Sequence, residues 1–511
     1  AAGAEMLLRA KEAAAPARAV FDVAVAMRLG IVKPGSAFTQ VDIDELSAES
    51  DVRESVAAIM PAHMPYLFPE VFLRPDPGFD ALVGNPPWEK VKLEEHQWWG
   101  LQIPKLRGMA QKEKNAALAA IKVSRPDLLA EFEKEILATD AVRAVLVKGP
   151  YPGIGRGGDP DLYQAFAWRF WRLVRRNGST GIVLPRGALS GSAMSEWRRE
   201  VLAGGAFADV CFLTNTSGWV FESVDGRITV ALVVLNRGSV HAARFCGPFA
   251  SDSEFAAGAT HLSEAGAAEF NSWSANSAFP LIPDPTSGEV FVKMRTHPSF
   301  ATATDGWEFR PIAEFHATQD KDKFEFDIDE PKGRIPVLAG ASFNIWNPDF
   351  GAPYAYGEPE VIRGALSNKL ARAASSDRSA YSGLHFSSEQ LPMDRPRIAF
   401  RDVARATDTR TTLACLLPPG VVFTHKAPVI VRRKGDAKAE AFLLGVLSSI
   451  PFDWYMRRWV EATFSFELLS QAPIPRGELQ GQRSQRVIQI SGALAALDSR
   501  YAEWADEVGV Q

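Results

Sequence analysis

Two consecutive prolines, Pro86 and Pro87, stand one residue beyond the run Phe79-Asp80-Ala81-Leu82-Val83-Gly84. A short apolar run closed by a glycine reads as a buried strand. Proline has a fixed φ and no N–H for a sheet ladder, so a pair of them ends the strand and stiffens the turn that follows. The chain must therefore hold out Asn85 and Trp88, which flank the pair, from a rigid turn at the C-terminal end of a strand. That turn offers an amide side chain, the carbonyl of Pro86 and a large ring. The Asn85 oxygen and the Pro86 carbonyl can each accept a hydrogen bond from an NH2 group, and Trp88 can stack on the ring that carries it. Accepting both hydrogens draws the nitrogen lone pair out of conjugation, which fits the nitrogen to attack an electrophilic methyl group.

Elsewhere the pattern alternates. Residues 5–30 carry apolar residues at helical spacing, and residues 33–50 read as a loop followed by a helix from about Asp42. The stretch 104–147 is rich in Lys, Glu, Ala and Leu and predicts helix interrupted at Pro126, placed where a flap would cover a substrate at the turn. Residues 162–177 predict an amphipathic helix with Phe166, Phe170, Leu173 and Val174 inward, a basic rim of Arg169, Arg172, Arg175 and Arg176, and an end at Asn177-Gly178. Gly181–Leu184 predicts the next strand, and strands near 208–214 and 228–235 predict an antiparallel finish. Alternating helix and strand predicts a doubly wound α/β sheet. After about residue 238 the periodicity fades. The segment 245–300 is rich in Ala, Ser, Gly and Pro and reads as connector, and β-leaning segments follow at 334–338, 397–400, 411–417 and 429–431. Helices are expected at about 437–449 and 482–506.

The Asn85-Pro86-Pro87-Trp88 motif, with Leu67-Phe68-Pro69-Glu70-Val71-Phe72 and Gly78–Gly84 before it, resembles the catalytic motif of S-adenosylmethionine-dependent adenine-N6 DNA methyltransferases. The resemblance is to the large bacterial enzymes of restriction-modification and phage-defence systems, of the type IIG, BREX or DISARM kind. Asp161-Leu162-Tyr163 with Phe166 resembles that family's next motif, and Gly181–Pro185 its next strand and turn. Val220-Phe221 through Arg227–Leu235 resembles its late hairpin. The resemblance implies a Rossmann-like methyltransferase domain over 1–238, a connector over 239–304 and a mixed α+β target-recognition domain over 305–511. It implies catalysis by Asn85, Pro86, Pro87 and Trp88, stacking of a flipped adenine by Trp88 and Phe221, and a cofactor or base pocket at Asp161, Leu162 and Tyr163. Its partners would be S-adenosylmethionine and double-stranded DNA. The same local motif also serves methyltransferases of release-factor glutamine and of ribosomal RNA, whose acceptors are likewise NH2 groups on planar systems. Those enzymes are compact, whereas this chain continues for some 270 residues past its catalytic part.

The family's glycine-rich cofactor turn has no counterpart in residues 1–78, where Gly30 and Gly35 stand isolated. The expectation is that an upstream segment or a partner chain supplies it, alongside other restriction or defence subunits, and that the chain is part of a longer or split enzyme. A non-catalytic DNA-recognition subunit is the alternative. The cluster Gly153-Ile154-Gly155-Arg156-Gly157-Gly158 has no strand before it and no Lys-Ser/Thr after it, so it reads as a loop, not a phosphate cradle.

Composition bounds the rest. The net charge of −5 argues against indiscriminate coating of nucleic acid. Between Arg395 and Arg476, however, 13 Lys/Arg stand against 7 Asp/Glu, a local excess of 6. By composition alone that excess reads equally as a solvated basic face; the resemblance to DNA methyltransferases implies a phosphate-contacting surface, with Arg401, Arg410, Arg432 and Arg433 as the expected contacts. Cys211, Cys246 and Cys415 lie far apart and suggest a reduced cytoplasm. The eight histidines show no metal-ligand spacing, and no apolar run is long enough to cross a membrane.

Overall fold

The computed structural model describes every residue except 1, 36, 37, 157, 239–241, 305, 327, 329, 330, 377, 378, 383, 385–389, 477, 478 and 511. Gly157 of the glycine cluster therefore lies outside the described residues. The chain forms two compact units, Ala1–Phe279 and Pro280–Gln511.

The first unit opens with helices Ala2–Ala13, Ala15–Leu29, Gln40–Ala48 and Ser50–Ile59. Val23, Ala26, Val32, Val52 and Val56 form a core shared by the last three of them. Thr39 and Asp42 start the third helix with a reciprocal capping box: the Asp42 N–H donates to Thr39 Oγ1 (3.2 Å) and the Thr39 N–H to Asp42 Oδ2 (2.7 Å). A six-stranded sheet follows. Its strands are β1 (Phe79–Gly84), β2 (Val174–Pro185), β3 (Gly205–Thr214), β4 (Thr229–Arg237), β5 (Ala243–Phe249) and β6 (Ser263–Ala265). They lie in the order β1-β2-β4-β3-β5-β6. The β1–β2 and β3–β5 pairs are parallel and the others antiparallel. This is the α/β class expected, with the antiparallel finish expected of β3 and β4.

Two sequence expectations are corrected here. The helix expected over 162–177 ends at Leu173, because Val174 already pairs with Phe79 of β1. The next pair is Ala81 with Ser179, so residues 175–178 bulge out of the ladder. Asn177 takes φ 58° within that bulge, and Asn177-Gly178 shapes a strand irregularity, not a helix end. The helix buries Tyr163, Trp168 and Trp171 and leaves Phe166 39% exposed, so the inward face is rotated from the one expected. Second, the segment read as connector divides. β5 and β6 complete the first sheet, and only from Pro280 does the chain enter the second unit. Buried Arg198 fastens the end of the first unit: its guanidinium donates to the carbonyls of Ala188, Gly191, Asn276 and Ser277. Burial pulls its pKa down to about 9.

β1 is the edge strand. Val83, paired with Gly181, is 86% exposed, and Val234, the next residue along that row on β4, is 37% exposed. Between β1 and β2 runs a helical excursion, Glu95–Gln102, Gln111–Ser124 and Pro126–Lys148, broken at Pro126 as the sequence predicts. It has its own core, in which Trp98 and Trp99 pack on Phe132 at ring separations of 5.1 and 5.6 Å.

The second unit holds β7 (Glu308–Ile312), β8 (Ile335–Leu338), β9 (Ala355–Gly357), β10 (Arg397–Phe400), β11 (Ala414–Leu417), β12 (Val422–Phe423) and β13 (Val429–Lys434). They form a sheet β11-β10-β13-β7 and a second sheet β12-β8-β9. The β-leaning segments of the sequence fall on β8, β10, β11 and β13. A 16-residue helix, Pro359–Ala374, buries Ile362, Leu366 and Leu370 and was not anticipated, although the spacing i, i+4, i+8 of these residues carries the pattern. Helices Ala437–Leu447, Gln482–Ala495 and Ala502–Val508 follow. Among the described residues no helix is long and apolar enough to cross a membrane.

Candidate active site

The turn Asn85–Trp88 leaves the C-terminal end of β1, the edge at which an α/β sheet presents its loops. Asn85 and Pro87 are exposed, Pro86 is buried and Trp88 is half-buried. The Asn85 amide has no protein partner among the described residues, so its oxygen is free to accept. Directly after Trp88 the chain pairs with the segment ahead of the helix Leu162–Leu173. Lys90 and Asp161 form an antiparallel bridge. The Val91 N–H donates to Pro160 O (2.8 Å) and the Leu162 N–H to Glu89 O (2.9 Å). The two motifs, separated by the helical excursion, thus lie side by side. Burial holds the Asp161 carboxyl above its usual range, and the charge of Lys90 opposes that shift.

Tyr163 is buried beside the residues that follow β2. It is 7% exposed, and a Cβ placed on Gly187 would stand 3.2 Å from its hydroxyl. Its ring thus packs between the helix and the residues after β2, while Asp161 and Leu162 are joined through the backbone to Lys90 and Glu89, directly after the turn.

Trp88 and Phe221 meet. Their ring centroids are 6.0 Å apart at 89°, an edge-to-face pair, and both pack against a cluster around Leu213, Val230, Cys246 and Phe249. The Trp88 Nε1 donor is buried without a protein partner. Phe221 belongs to the loop that closes the β3–β4 hairpin. Buried Asn215, which sequence reasoning missed, sits at the root of that loop. An asparagine immediately after a strand that enters a long hairpin loop was the available indication.

The site can therefore present two acceptor oxygens, from Asn85 and Pro86, beside a pair of aromatic rings. The rest of a cofactor cradle does not fit these residues. S-adenosylmethionine needs close backbone approach at a glycine-rich turn after a strand. Upstream of β1 the described residues form only helices and connecting turns, and β1 has no strand on its outer side. Among the described residues no group of His, Cys, Asp and Glu is placed to hold a metal ion.

The structure gives the four arginines expected to reach DNA, Arg401, Arg410, Arg432 and Arg433, partners within the protein. Each is partly buried and bonded within the second unit. Arg401 donates to Asp408 Oδ2 (3.0 Å) and to Arg410 O (3.2 Å). Arg410 donates to Ser448 O and stands 4.0 Å from Asp453. Arg432 pairs with buried Glu440 at 3.1 Å, and Arg433 with Glu308 at 2.9 Å. A half-buried cation that lost its carboxylate or carbonyl would bear its desolvation cost uncompensated, so these side chains are held. A local excess of arginine could not distinguish them from free ones. Arg405, by contrast, is exposed, and among the described residues its side chain has no partner.

No family model matches the sequence, and neither does any curated protein. Several solved structures are similar to it, and three of them are the following. The type IIL restriction-modification enzyme MmeI in complex with DNA shares 11% identity at a TM-score of 0.36, over 84% of this chain and 53% of that one. A nuclease-deletion mutant of the type ISP restriction-modification enzyme LlaGI, with a DNA substrate mimic, shares 10% at 0.39, over 80% and 41%. The type IIG restriction endonuclease BpuSI shares 12% at 0.28, over 72% and 51%. The chain spans about half or less of the length of each.

Proposed function

We propose that this chain is the acceptor-base and recognition part of a site-specific adenine-N6 DNA methyltransferase, acting on double-stranded DNA in a bacterial restriction-modification or phage-defence system. One observation carries the reading: the Asn85-Pro86-Pro87-Trp88 turn ends a strand with its amide free, and its tryptophan faces Phe221 from a distant loop. An adenine inside a duplex cannot reach a methyl donor, so it must be extruded, and its lost stacking must be replaced by protein rings. Trp88 and Phe221 would hold that ring. Asn85 Oδ1 and the Pro86 carbonyl would then accept the two hydrogens of its N6 amino group and orient the lone pair outward. The methyl group would come from S-adenosylmethionine, held by an upstream segment or a partner chain. Methyl transfer onto adenine by the full-length protein tests the reading. Failure to methylate unmodified duplexes of any sequence would overturn it in favour of a non-catalytic recognition subunit, the reading that the missing cradle favours.

Because that cradle is incomplete here, the chain by itself is expected to bind S-adenosylmethionine weakly or not at all in calorimetry. Micromolar affinity would place the cofactor within these residues and refute the division of labour.

The second unit would read the DNA site. Removing a side chain that neutralises one phosphate lowers the slope of binding against salt by about one unit. That is expected for Arg405→Ala, measured over several salt concentrations. Arg401→Ala, Arg410→Ala, Arg432→Ala and Arg433→Ala should instead lower the melting temperature and leave the slope alone. A shallower slope in any of these four, with the melt unchanged, would return that arginine to the DNA.

A further inference from the structure

The loop of residues 215–228 closes the β3–β4 hairpin between the last ladder pair, Thr214 and Thr229. A hairpin can be closed by two residues, so a loop this long must find partners for many backbone groups that no ladder satisfies. Asn215 meets much of that need from the inside. It is fully buried. Its Nδ2 donates to the carbonyls of Phe221 (2.9 Å) and Val224 (2.8 Å). Its Oδ1 accepts from the N–H groups of Val220 (3.2 Å) and Phe221 (3.0 Å). The side chain thus uses both donors and both lone pairs, the full capacity of an amide. Two of the four bonds fall on Phe221 itself, one on each side of its Cα, so the direction of the Cα–Cβ bond is fixed from both ends. The ring so aimed is the one that stands edge-on to Trp88.

No other side chain does this. Aspartate would set an acceptor oxygen, in place of the amide nitrogen, against two carbonyls, serine is too short to span the loop, and alanine leaves four buried groups to find other partners. We infer that Asn215 is the positioning residue of the aromatic pair: it acts on a held base through Phe221, without touching it. The inference rests on the reading of Trp88 and Phe221 as the base-holding pair, and its test is built in two arms so that either can fail alone.

The first arm needs no DNA. The full-length protein is labelled with 5-fluorotryptophan, and the Trp88 resonance is assigned with Trp88→Phe. Losing this set of buried bonds is expected to lower the held population of the loop by about tenfold. Asn215→Ala should therefore shift or broaden the Trp88 resonance, and should add nothing in a Phe221→Ala background. If Asn215→Ala does not fold, Asn215→Asp serves. Its buried carboxyl takes up a proton as pH falls, regains one donor, and should bring the resonance back toward wild type. A Trp88 resonance unmoved by Asn215→Ala, or an Asp variant with no recovery at low pH, overturns the positioning role.

The second arm uses a duplex carrying 2-aminopurine at the target adenine. Asn215→Ala and Phe221→Ala should dim the signal of the wild-type complex to the same level, and the double variant should dim it no further. Additive losses would mean that Asn215 acts by another route. A wild-type complex that stays dark, with the first arm upheld, would overturn the base-holding reading and leave Asn215 as the residue that sets the ring.

Discussion

Asn85→Ala is expected to cost about two to three decades in the rate of methyl transfer, the loss typical when one preorganised hydrogen-bonding group is removed from a developing charge. The amide oxygen is exposed at the end of β1 and has no protein partner, so its removal leaves no buried group unsatisfied and folding should be unaffected. The acceptor matters most when the amino nitrogen is being attacked, so kcat and kcat/KM should fall together while DNA affinity holds. Asn85→Asp keeps an acceptor oxygen at the same place and should lose less than Asn85→Ala. The measurement is single-turnover transfer onto unmethylated duplex by the full-length protein. Near-normal rates in Asn85→Ala, or an equal loss in both variants, would remove the amide oxygen from the chemistry.

The largest expected effect on stability lies in the second unit. Glu314 is fully buried, and Arg397 beside it is 9% exposed. The pair is hydrogen-bonded, the Phe423 N–H donates to Glu314 Oε2 (3.1 Å), and Arg397 Nη2 donates to Val421 O (2.6 Å). Glu314 follows β7, Arg397 opens β10, and Val421 and Phe423 lie at β12, so one ion pair ties together strands of both sheets. Burial pushes the Glu314 carboxyl up, and Arg397 pulls it back. Breaking such a pair on one side leaves the other charge buried and unpaired, at a cost of about 3–5 kcal/mol. Glu314→Ala should lower the denaturant midpoint of the second unit accordingly. Replacing both partners by apolar residues, Glu314→Leu with Arg397→Met, should recover much of the loss. A loss under about 1 kcal/mol in Glu314→Ala would mean that water reaches the pair in solution.

These two sites differ in how much of each is a local property of the sequence. The sequence determined the turn at 85–88, because two prolines after an apolar run leave a strand no other ending. It determined the break at Pro126 and the segments that became β8, β10, β11 and β13, since period and punctuation are local properties. Only tertiary structure decided where the helix from Leu162 ends, because Val174 leaves it to pair with Phe79, a residue far away along the chain. Contacts across such distances have no local signature, so nothing near Arg397 foretold Glu314, and nothing near Arg433 foretold Glu308. For the same reason the local excess of arginine carried no sign that Arg401, Arg410, Arg432 and Arg433 are partly buried and bonded to protein partners. The resemblance named Trp88 and Phe221 as rings for a base, but that the two rings pair with each other, and that Asn215 holds the Phe221 backbone, rests on hydrogen bonds and packing that exist only once the hairpin has closed. Residue type and spacing fix what a segment can offer, whereas the partner each side chain finds is settled by packing between segments that the sequence keeps apart.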